Sequence, residues 1–130
     1  MTEIPEKFRD LMTKKAFASV ATVMANGSPQ VTPVWFDYTN GKLRVNTAKG
    51  RVKARTMTAG AKVAVAIMDP DNAYRYVQVR GTVARVTEDG ADAHIDALSQ
   101  RYLGKAYPYR QPGDVRLTVE ITPESIDTMG

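Results

Sequence analysis

A cluster of basic side chains in the middle of the sequence is the feature best suited to bind a ligand. Residues 38–68 contain seven of the 18 Lys and Arg residues of this 130-residue chain, and they contain no Asp or Glu. The rest of the chain carries more acidic than basic side chains, so the net charge of +4 is concentrated in this segment. Because a local excess of positive charge attracts anions, we expect the segment to bind an anionic ligand.

Two of these basic residues, Arg51 and Lys53, fall where a helix is predicted to begin. The preceding strand ends near Asn46 and Thr47, and small residues then make a turn. Helix N-termini favour anions, whereas Lys and Arg ordinarily lie at the opposite end of a helix. A bound phosphate would offset this repulsion. The residues alone leave a phosphate or nucleotide site, a solvated basic helix face and a nucleic-acid surface open.

Nucleic acid is the rival ligand class because aromatic side chains lie near the basic segment in the sequence. Trp35, Tyr38, Tyr74 and Tyr76 could form a stacking platform for bases. Against this interpretation, the basic segment is short and no helix-turn-helix or RNA-recognition signature is present. We therefore expect a small-molecule ligand and no nucleic-acid partner.

Several common catalytic arrangements are excluded by composition. The chain has no cysteine and a single histidine, His94, so thiol catalysis and an ordinary zinc site are excluded and no metal site is predicted. His94 lies between Asp92 and Asp96 in a predicted acidic helix, and we expect it on the surface. No G-x-S-x-G, P-loop or G-x-G-x-x-G pattern occurs. An enzymatic reaction would therefore depend on a bound cofactor.

A proline marks one strand as unusual. Pro33 lies within an otherwise good strand and cannot donate to a ladder, so the strand is predicted to lie at a sheet edge or to carry a bulge. One interpretation is simple edge protection. The functional alternative is that Thr32 and Pro33 face a ligand, with Trp35, which is in phase with Pro33, forming part of the same wall.

Strand patterns dominate the rest of the chain. Strands are predicted over residues 16–24, 30–38, 42–47, 62–68, 75–87 and 115–122. Asn26-Gly27 and Asn40-Gly41 suit tight hairpins, which would join the first three strands in an antiparallel meander. Gly81 predicts a bend or bulge in the long fifth strand.

Helices are predicted at the periphery of this sheet. They cover residues 3–14, residues 50–58 with Thr47 or a neighbour near the cap, and an acidic segment that begins at a Thr87-Glu88-Asp89 cap and ends near residue 103. The fold class is therefore mainly β with peripheral helices, a six-stranded antiparallel barrel in which closure removes exposed edges. Residues 1–130 fit one domain. No signal peptide or membrane-spanning segment is apparent, so a soluble, cytoplasmic protein is expected.

The order of these motifs resembles a known superfamily. It consists of Ser28 to Phe36 (SPQVTPVWF), Leu43 to Thr47 (LRVNT), Arg51 to Arg55 (RVKAR) and Tyr74 to Gly81 (YRYVQVRG). Together these segments look like the pyridoxamine 5′-phosphate oxidase-like flavin-reductase superfamily, and in particular its short deazaflavin (coenzyme F420)-dependent reductases. The resemblance extends from about residue 8 to residue 121.

This resemblance implies a split β-barrel of the FMN-binding type that forms a homodimer, with the cofactor in a groove at the subunit interface. Arg51 and Lys53 match the basic residues that hold the cofactor phosphate in the family. Asn46 and Thr47 lie beside them in the matching segment.

Further positions match the part of the family site that contacts the ring system. Thr32 and Pro33 correspond to the wall against the tricyclic ring, with Trp35 nearby. Tyr74 and Tyr76 match positions that reach the cofactor across the dimer interface.

The resemblance also implies a reaction. Reduced F420 would deliver a hydride to an electron-poor C=C or C=N bond of a small organic substrate, and the proton would come from solvent or a polar group such as Tyr109 or Arg110. The alternatives are an FMN-dependent reductase or oxidase of the same fold and a non-catalytic F420- or flavin-binding carrier. The chain lacks the additional basic substrate-binding residues and longer C-terminal region of the pyridoxamine phosphate branch, so oxidation of vitamin B6 is not expected.

Overall fold

Seven antiparallel strands and three short helical segments make up the computed structural model, which describes residues 2–130. The strands are β1 (Ala18–Val23), β2 (Pro29–Val34), β3 (Asp37–Thr39), β4 (Lys42–Ala48), β5 (Lys62–Asp69), β6 (Asn72–Thr87) and β7 (Arg116–Met129). A 3₁₀ helix covers Glu6–Met12, and the two α-helices are α1 (Val52–Thr56) and α2 (Ala91–Leu103).

The strands form one sheet in the order β2-β1-β5-β6-β7-β4-β3. Its two edge strands, β2 and β3, are separated in the chain only by Trp35 and Phe36. Three residue steps span at most about 11 Å, whereas the edges of a flat seven-stranded sheet would lie about 29 Å apart. The sheet must therefore curl until its edges approach, although no backbone ladder joins β2 to β3.

This topology corrects two of the sequence predictions. The predicted strand over residues 30–38 is two strands, because the chain turns at Trp35 and buries Phe36 completely in the core. The sheet consequently has seven strands rather than six. Both predicted hairpins are present, β1 with β2 and β3 with β4, but they do not form one three-stranded meander, because β2 and β3 lie at opposite edges of the sheet. The predicted edge position of the Pro33 strand is confirmed.

The core lies inside the curled sheet and is built by strict alternation. On β5, Val63, Val65 and Ile67 are buried, while Lys62 and Met68 are exposed. The core also contains apolar residues of the 3₁₀ helix and of β1, β4, β6 and β7. Its larger members are Phe8, Leu11, Phe36, Leu43, Met57, Val77, Val119 and Ile121. Burial of this apolar face stabilises the fold.

The turns and the bulge lie at the positions that the sequence predicts. Asn40 and Gly41 both have positive φ, 54° and 77°, as a two-residue type I′ hairpin requires. At the first hairpin only Gly27 has positive φ, and the Met24 and Ser28 backbones close a longer loop. The register of β6 against β7 shifts at Gly81, which confirms the predicted bulge.

The helices are shorter than predicted and begin at different caps. Arg51, not Thr47, is the residue before α1, and Thr47 is buried within β4. Gly90 precedes α2, while the hydroxyl of Thr87 accepts a hydrogen bond from the Asp89 N–H one turn earlier. Among residues 2–130, no helix has the length and apolar character needed to cross a bilayer.

Candidate functional site

A pocket of about 250 Å³ opens where the end of β2, the end of β4, α1 and α2 approach one another. Pro33, Val34 and Trp35 line one side, and Ile95 of α2 contributes an apolar patch. The remaining walls divide into a basic group and an aromatic group. The pocket therefore offers a ligand both charge and a flat apolar surface.

Three cations form the basic wall. Arg51 is exposed, Lys53 is half-buried and Arg116 is only 5% exposed. None of the three belongs to an ion pair formed within residues 2–130. Burial lowers the pKa of Lys53, and the charges of Arg51 and Arg116 lower it further. The wall is thus a concentration of positive charge with no carboxylate partner.

The pairing of β4 with β7 brings these residues together. The strands are antiparallel, so the end of β4 lies beside the beginning of β7, with Ala48 opposite Arg116. The Lys49 N–H donates to the carbonyl of Val115 and extends this contact to the loop before α1. Arg116 therefore reaches the segment of Arg51 and Lys53 although it is more than sixty residues away in sequence.

Aromatic side chains form another part of the pocket wall. The Trp35 ring stacks on Tyr102 with centroids 5.3 Å apart and an interplanar angle of 7°. Tyr107 meets Trp35 edge-on at 6.2 Å, and Tyr109 meets Tyr107 edge-on at 5.7 Å. Phe17 packs on the other side of Tyr102 at 5.6 Å. Such rings give a planar ligand a pre-ordered apolar surface.

A buried polar chain runs behind the basic wall. The Nε2 of His94 lies 3.0 Å from the Asp37 carboxylate, and its Nδ1 lies 3.2 Å from the Asn46 amide nitrogen. The Asn46 amide also donates to the carbonyl of Ala91 at 2.9 Å and accepts from Arg116 Nε at 2.8 Å. The chain thus connects Asp37 to the pocket through two side chains.

The environment of Asp37 favours the charged form of its carboxylate. Burial alone would raise the pKa of Asp37, but hydrogen bonds from His94 and Arg44 outweigh it and hold the pKa below its usual value. Arg44 binds both carboxylate oxygens, at 2.7 and 2.8 Å. An ionised Asp37 accepts a hydrogen bond from the Nε2–H of His94, which leaves Nδ1 to accept a hydrogen bond from Asn46.

The surface position expected for His94 is therefore wrong. The residue is 5% exposed, because it lies on the face of α2 that carries Ile95 and Leu98 against the sheet. The flanking Asp92 is exposed, as expected for the outer face of the helix. Helical spacing separates His94 from its acidic neighbours and places it over β4 and β7.

The pocket brings together five of the nine predicted binding residues: Pro33, Trp35, Asn46, Arg51 and Lys53. Thr32 is half-buried on β2, and its hydroxyl has no hydrogen-bond partner within residues 2–130. Thr47 is buried on the opposite face of β4 from Asn46.

The remaining two, Tyr74 and Tyr76, lie on β6 outside this pocket. Tyr74 is 79% exposed, and Tyr76 borders a separate surface depression with Ala66, Met68 and Gln78. Their predicted contact with a cofactor concerns a second subunit and stays a prediction.

Sequence reasoning missed five residues of the pocket wall: Phe17, Val34, Ile95, Tyr107 and Arg116. The first four carry no signal beyond being apolar or aromatic. Arg116 does carry a signal, because it is a charged residue within a predicted strand. It precedes Leu117 and Val119, the residues of that strand that are expected to face inward. Of the two suggested proton donors, Tyr109 lines the pocket, whereas Arg110 is bound to Asp92 and Asp96.

Comparison with known proteins places this geometry in a family. The family model described as pyridoxamine 5′-phosphate oxidase matches residues 4–130. A solved structure named F420 reductase is 32% identical, with a TM-score of 0.83, and the match covers 95% of this chain and 98% of that one. No curated protein sequence matches this chain.

Two more distant structures share the fold. HupZ from group A Streptococcus is 22% identical with a TM-score of 0.69, over 96% of this chain and 93% of that one. An FAD and heme binding protein from Mycobacterium smegmatis is 19% identical with a TM-score of 0.72, over 98% of this chain and 71% of that one. The match of the family model across nearly the whole length, with the curled antiparallel sheet, shows that the chain belongs to the pyridoxamine 5′-phosphate oxidase family.

Proposed function

We propose that the protein is an F420-dependent reductase that transfers a hydride from reduced deazaflavin to an electron-poor C=C or C=N bond of a small organic substrate. One observation supports the ligand class: three cations without a carboxylate partner line the same pocket as a group of aromatic side chains. This pairing fits a ligand with an anionic end and a flat ring system. The 32% identity to a structure named F420 reductase supports F420 as that ligand.

The basic wall fits the phosphate of such a cofactor. Arg51 and Lys53 follow the end of β4 and a turn, and both side chains line the pocket together with Arg116. The lowered pKa of Lys53 follows from burial and from two neighbouring cations, a strain that an anion between them relieves. Asn46, at the end of β4, contributes a polar group to the same pocket.

The aromatic wall and the β2 edge fit the ring system. Pro33 and Trp35 present apolar surface at the pocket, and Trp35 is held by stacking on Tyr102. Fixed rings of this kind set the distance and the face at which a flat ligand binds, and orientation contributes several kcal/mol to lowering a barrier. No side chain of the pocket needs to act as a nucleophile.

The proton required after hydride transfer has one side-chain candidate at the pocket. Tyr109 lines the cavity, and its phenol is a hydrogen-bond donor. Arg110 is turned toward α2 by its bonds to Asp92 at 3.0 Å and Asp96 at 2.7 Å. We therefore assign the proton to solvent or Tyr109, rather than to Arg110.

The proposal includes a homodimer with the pocket at its interface. A pocket of about 250 Å³ is smaller than the roughly 300–1,000 Å³ usual for small-molecule sites, so a second subunit would complete its walls. Exposed apolar side chains are available for such a contact, among them Val31 at 63%, Met68 at 51% and Tyr74 at 79%. Thr32, Tyr74 and Tyr76 remain predicted cofactor contacts in this assembly, and a cytoplasmic location likewise stays a prediction.

Titration with both cofactors tests the choice between F420 and FMN. Purified protein is titrated with each, and fluorescence gives the two dissociation constants. We expect F420 to bind more tightly, and tighter binding of FMN would replace F420 in the proposal by FMN. A salt-sensitive complex with DNA or RNA in the absence of cofactor would instead favour the nucleic-acid interpretation.

Turnover separates an enzyme from a carrier. Reduced F420 is mixed with protein and a panel of enones, quinones and tetrapyrroles, and loss of the reduced cofactor is followed. We expect oxidation with at least one electron-poor acceptor. In a separate assay pyridoxamine phosphate is mixed with protein and oxidised F420 or FMN, and we expect no conversion of the amine to its aldehyde. Tight F420 binding without turnover across the panel would identify a non-catalytic carrier.

A further inference from the structure

Arg116 has more hydrogen-bonding capacity than the protein satisfies. A guanidinium has five N–H donors and no acceptor. Nε of Arg116 donates to Asn46 Oδ1 at 2.8 Å, while Nη1 is buried and has no hydrogen-bond partner within residues 2–130. Unpaired buried donors are rare in folded proteins, and each one calls for a partner.

The neighbouring Tyr107 does not supply a partner for Nη1. The guanidinium lies 5.3 Å from the centroid of the Tyr107 ring and also interacts with the polar end of that side chain, yet Nη1 has no hydrogen-bond partner within residues 2–130. No carboxylate of residues 2–130 forms an ion pair with it. A buried cation costs free energy unless a counter-charge is bound, and this one lines the pocket that holds Arg51 and Lys53.

We propose that Arg116 binds the phosphate of the ligand from the buried side of the pocket, and that Asp37, His94 and Asn46 hold its guanidinium in position. This inference rests on the proposed function and adds residues to its phosphate site. Arg51 and Lys53 approach the anion from the exposed side, and Arg116 approaches from β7.

Asn46 is the link that fixes the orientation of Arg116. Its amide nitrogen has two acceptors, Ala91 O and His94 Nδ1, so its oxygen is directed to the Arg116 Nε. Rotation of the amide by 180° would set its NH₂ against Nε and break all three contacts. The side chain therefore has one orientation that satisfies its partners.

His94 in turn determines which group of the Asn46 amide, the nitrogen or the oxygen, faces the imidazole ring. Its Nδ1 lies 3.1 Å from the Thr118 hydroxyl as well as 3.2 Å from Asn46, and Asp37 accepts a hydrogen bond from Nε2–H. These partners select the tautomer with the proton on Nε2 and an acceptor at Nδ1. His94 is a positioning residue in this arrangement, because it acts on the ligand only through Asn46 and Arg116.

Ligand pairs that differ in phosphate test the role of Arg116. FMN and riboflavin differ in the phosphate alone, and F420 is compared with its ribityl deazaflavin, which lacks both the phosphate and the anionic tail attached to it. In Arg116→Gln we expect the affinity for FMN and F420 to fall roughly 10- to 150-fold, since a hydrogen bond to a charged group is lost. The affinity for riboflavin and the ribityl deazaflavin should stay within about twofold of the wild type.

The matched control is Arg80→Gln, which removes an equal charge from an exposed arginine of β6 outside the pocket. It should leave all four affinities unchanged. An equal loss for the phosphate-bearing and phosphate-free ligands in Arg116→Gln would overturn the phosphate role, as would an unchanged affinity for all of them.

Two substitutions of His94 separate positioning from a structural role. In His94→Asn the amide oxygen can replace Nδ1 as acceptor, whereas in His94→Gln the amide nitrogen can replace Nε2 as donor to Asp37. We expect His94→Gln to lose about 2- to 10-fold in the ratio of FMN to riboflavin affinity, and His94→Asn to preserve that ratio. A ratio preserved in both variants, or lost only in His94→Asn, would remove His94 from the positioning chain.

Inorganic phosphate keeps the test independent of the cofactor. The melting temperature is measured with and without phosphate in the wild type and in Arg116→Gln, at constant ionic strength. Stabilisation by phosphate that disappears in the variant supports the inference even where wild-type protein binds neither F420 nor FMN, a result that would refute the proposed function alone. Equal stabilisation of both proteins would refute the inference and leave the proposed function intact.

Discussion

Lys53 is the residue whose removal tests the exposed side of the phosphate site. It is half-buried between Arg51 and Arg116, and its pKa is lowered by burial and by both neighbours. Loss of one charge-assisted hydrogen bond in Lys53→Ala should weaken F420 binding by roughly 10- to 150-fold. The fold should survive, because the side chain makes no ion pair within residues 2–130. Fluorescence titration measures the effect.

Lys49→Ala is the matched control for this prediction. Lys49 is exposed, lies four residues earlier, and pairs with Glu88 at 3.3 Å instead of lining the pocket. Its removal takes away the same charge and should change the affinity by no more than about twofold, because exposed ion pairs contribute little. Equal losses in the two variants would mean that F420 responds to the general field of the basic segment rather than to Lys53.

Asp69 gives a pH-dependent prediction at the opposite end of the sheet. Hydrogen bonds from the Asp71 backbone N–H and the Arg75 guanidinium, and then from Lys14, lower its pKa to about 2. The unfolded carboxyl has the higher, ordinary value of 3.8. Because the folded pKa is depressed, this contribution to stability is complete above pH 4 and is lost as the pH falls toward 2.

The substitution Asp69→Asn removes that titration. The melting temperature of the variant should be lower than that of the wild type at pH 7, and the difference should shrink between pH 4 and pH 2 as the wild-type carboxyl is protonated. Thermal unfolding across this range measures both curves. Parallel curves, with a constant difference, would show that the ion pairs to Arg75 and Lys14 carry no pH-dependent stability.

At the scale of elements, the bulge in β6 depends on the absence of a side chain. A Cβ on residue 81 would lie 2.3 Å from the backbone oxygen of Thr122 on β7, and a backbone atom cannot move aside as a flexible side chain can. Gly81→Ala should therefore lower the free energy of unfolding by about 1–3 kcal/mol, as overpacking typically does. Urea denaturation measures it.

Arg85→Ala serves as the comparison for Gly81→Ala. Arg85 is exposed on the same strand and borders neither the pocket nor the surface depression, so a substitution there should fall within about 0.5 kcal/mol of the wild type. If Gly81→Ala proved as stable as Arg85→Ala, β6 and β7 would have to separate at the bulge without cost, contrary to the close approach at Thr122.

Elements defined by local patterns were predictable from the sequence. The alternation of β5, the Asn40-Gly41 hairpin and the bulge at Gly81 depend on residues close together in the chain, and the structure has all three. The position of Pro33 at an edge follows equally from its own chemistry, since proline lacks the ladder donor.

Features that depend on which distant strands meet were not predictable in this way. The pairing of β1 with β5 separates β2 from β3, and no local signal marks that choice. Likewise, His94 is buried and Arg116 enters the pocket because β4 lies beside β7 under α2. The charge cluster predicted two of the three cations of the basic wall, Arg51 and Lys53, and the sheet topology supplied the third, Arg116.

At the scale of the whole molecule, the small pocket and the exposed apolar face lead to a prediction that two copies of the chain assemble. Pocket walls from a single chain enclose about 250 Å³, while Met68 and Tyr76 border an apolar depression on the outer face of β5 and β6. A second copy seated on that face would bury these side chains and bring Tyr74 and Tyr76 toward a neighbouring pocket. Assembly and cofactor binding would then be coupled, because each stabilises the other.

Met68→Glu tests this coupling without touching the pocket. Met68 is 51% exposed, so a carboxylate is tolerated in the monomer but opposes burial of the apolar face in a dimer. Light scattering should show a dimer for the wild type and a monomer for the variant, and F420 affinity should fall at least tenfold although Arg51, Lys53 and Trp35 are unchanged. Ala97→Glu, which adds the same charge on the exposed side of α2, should leave both properties as in the wild type. A monomeric variant that binds F420 at full affinity would show that one chain forms the complete site, and an unchanged dimer would place the interface on another face.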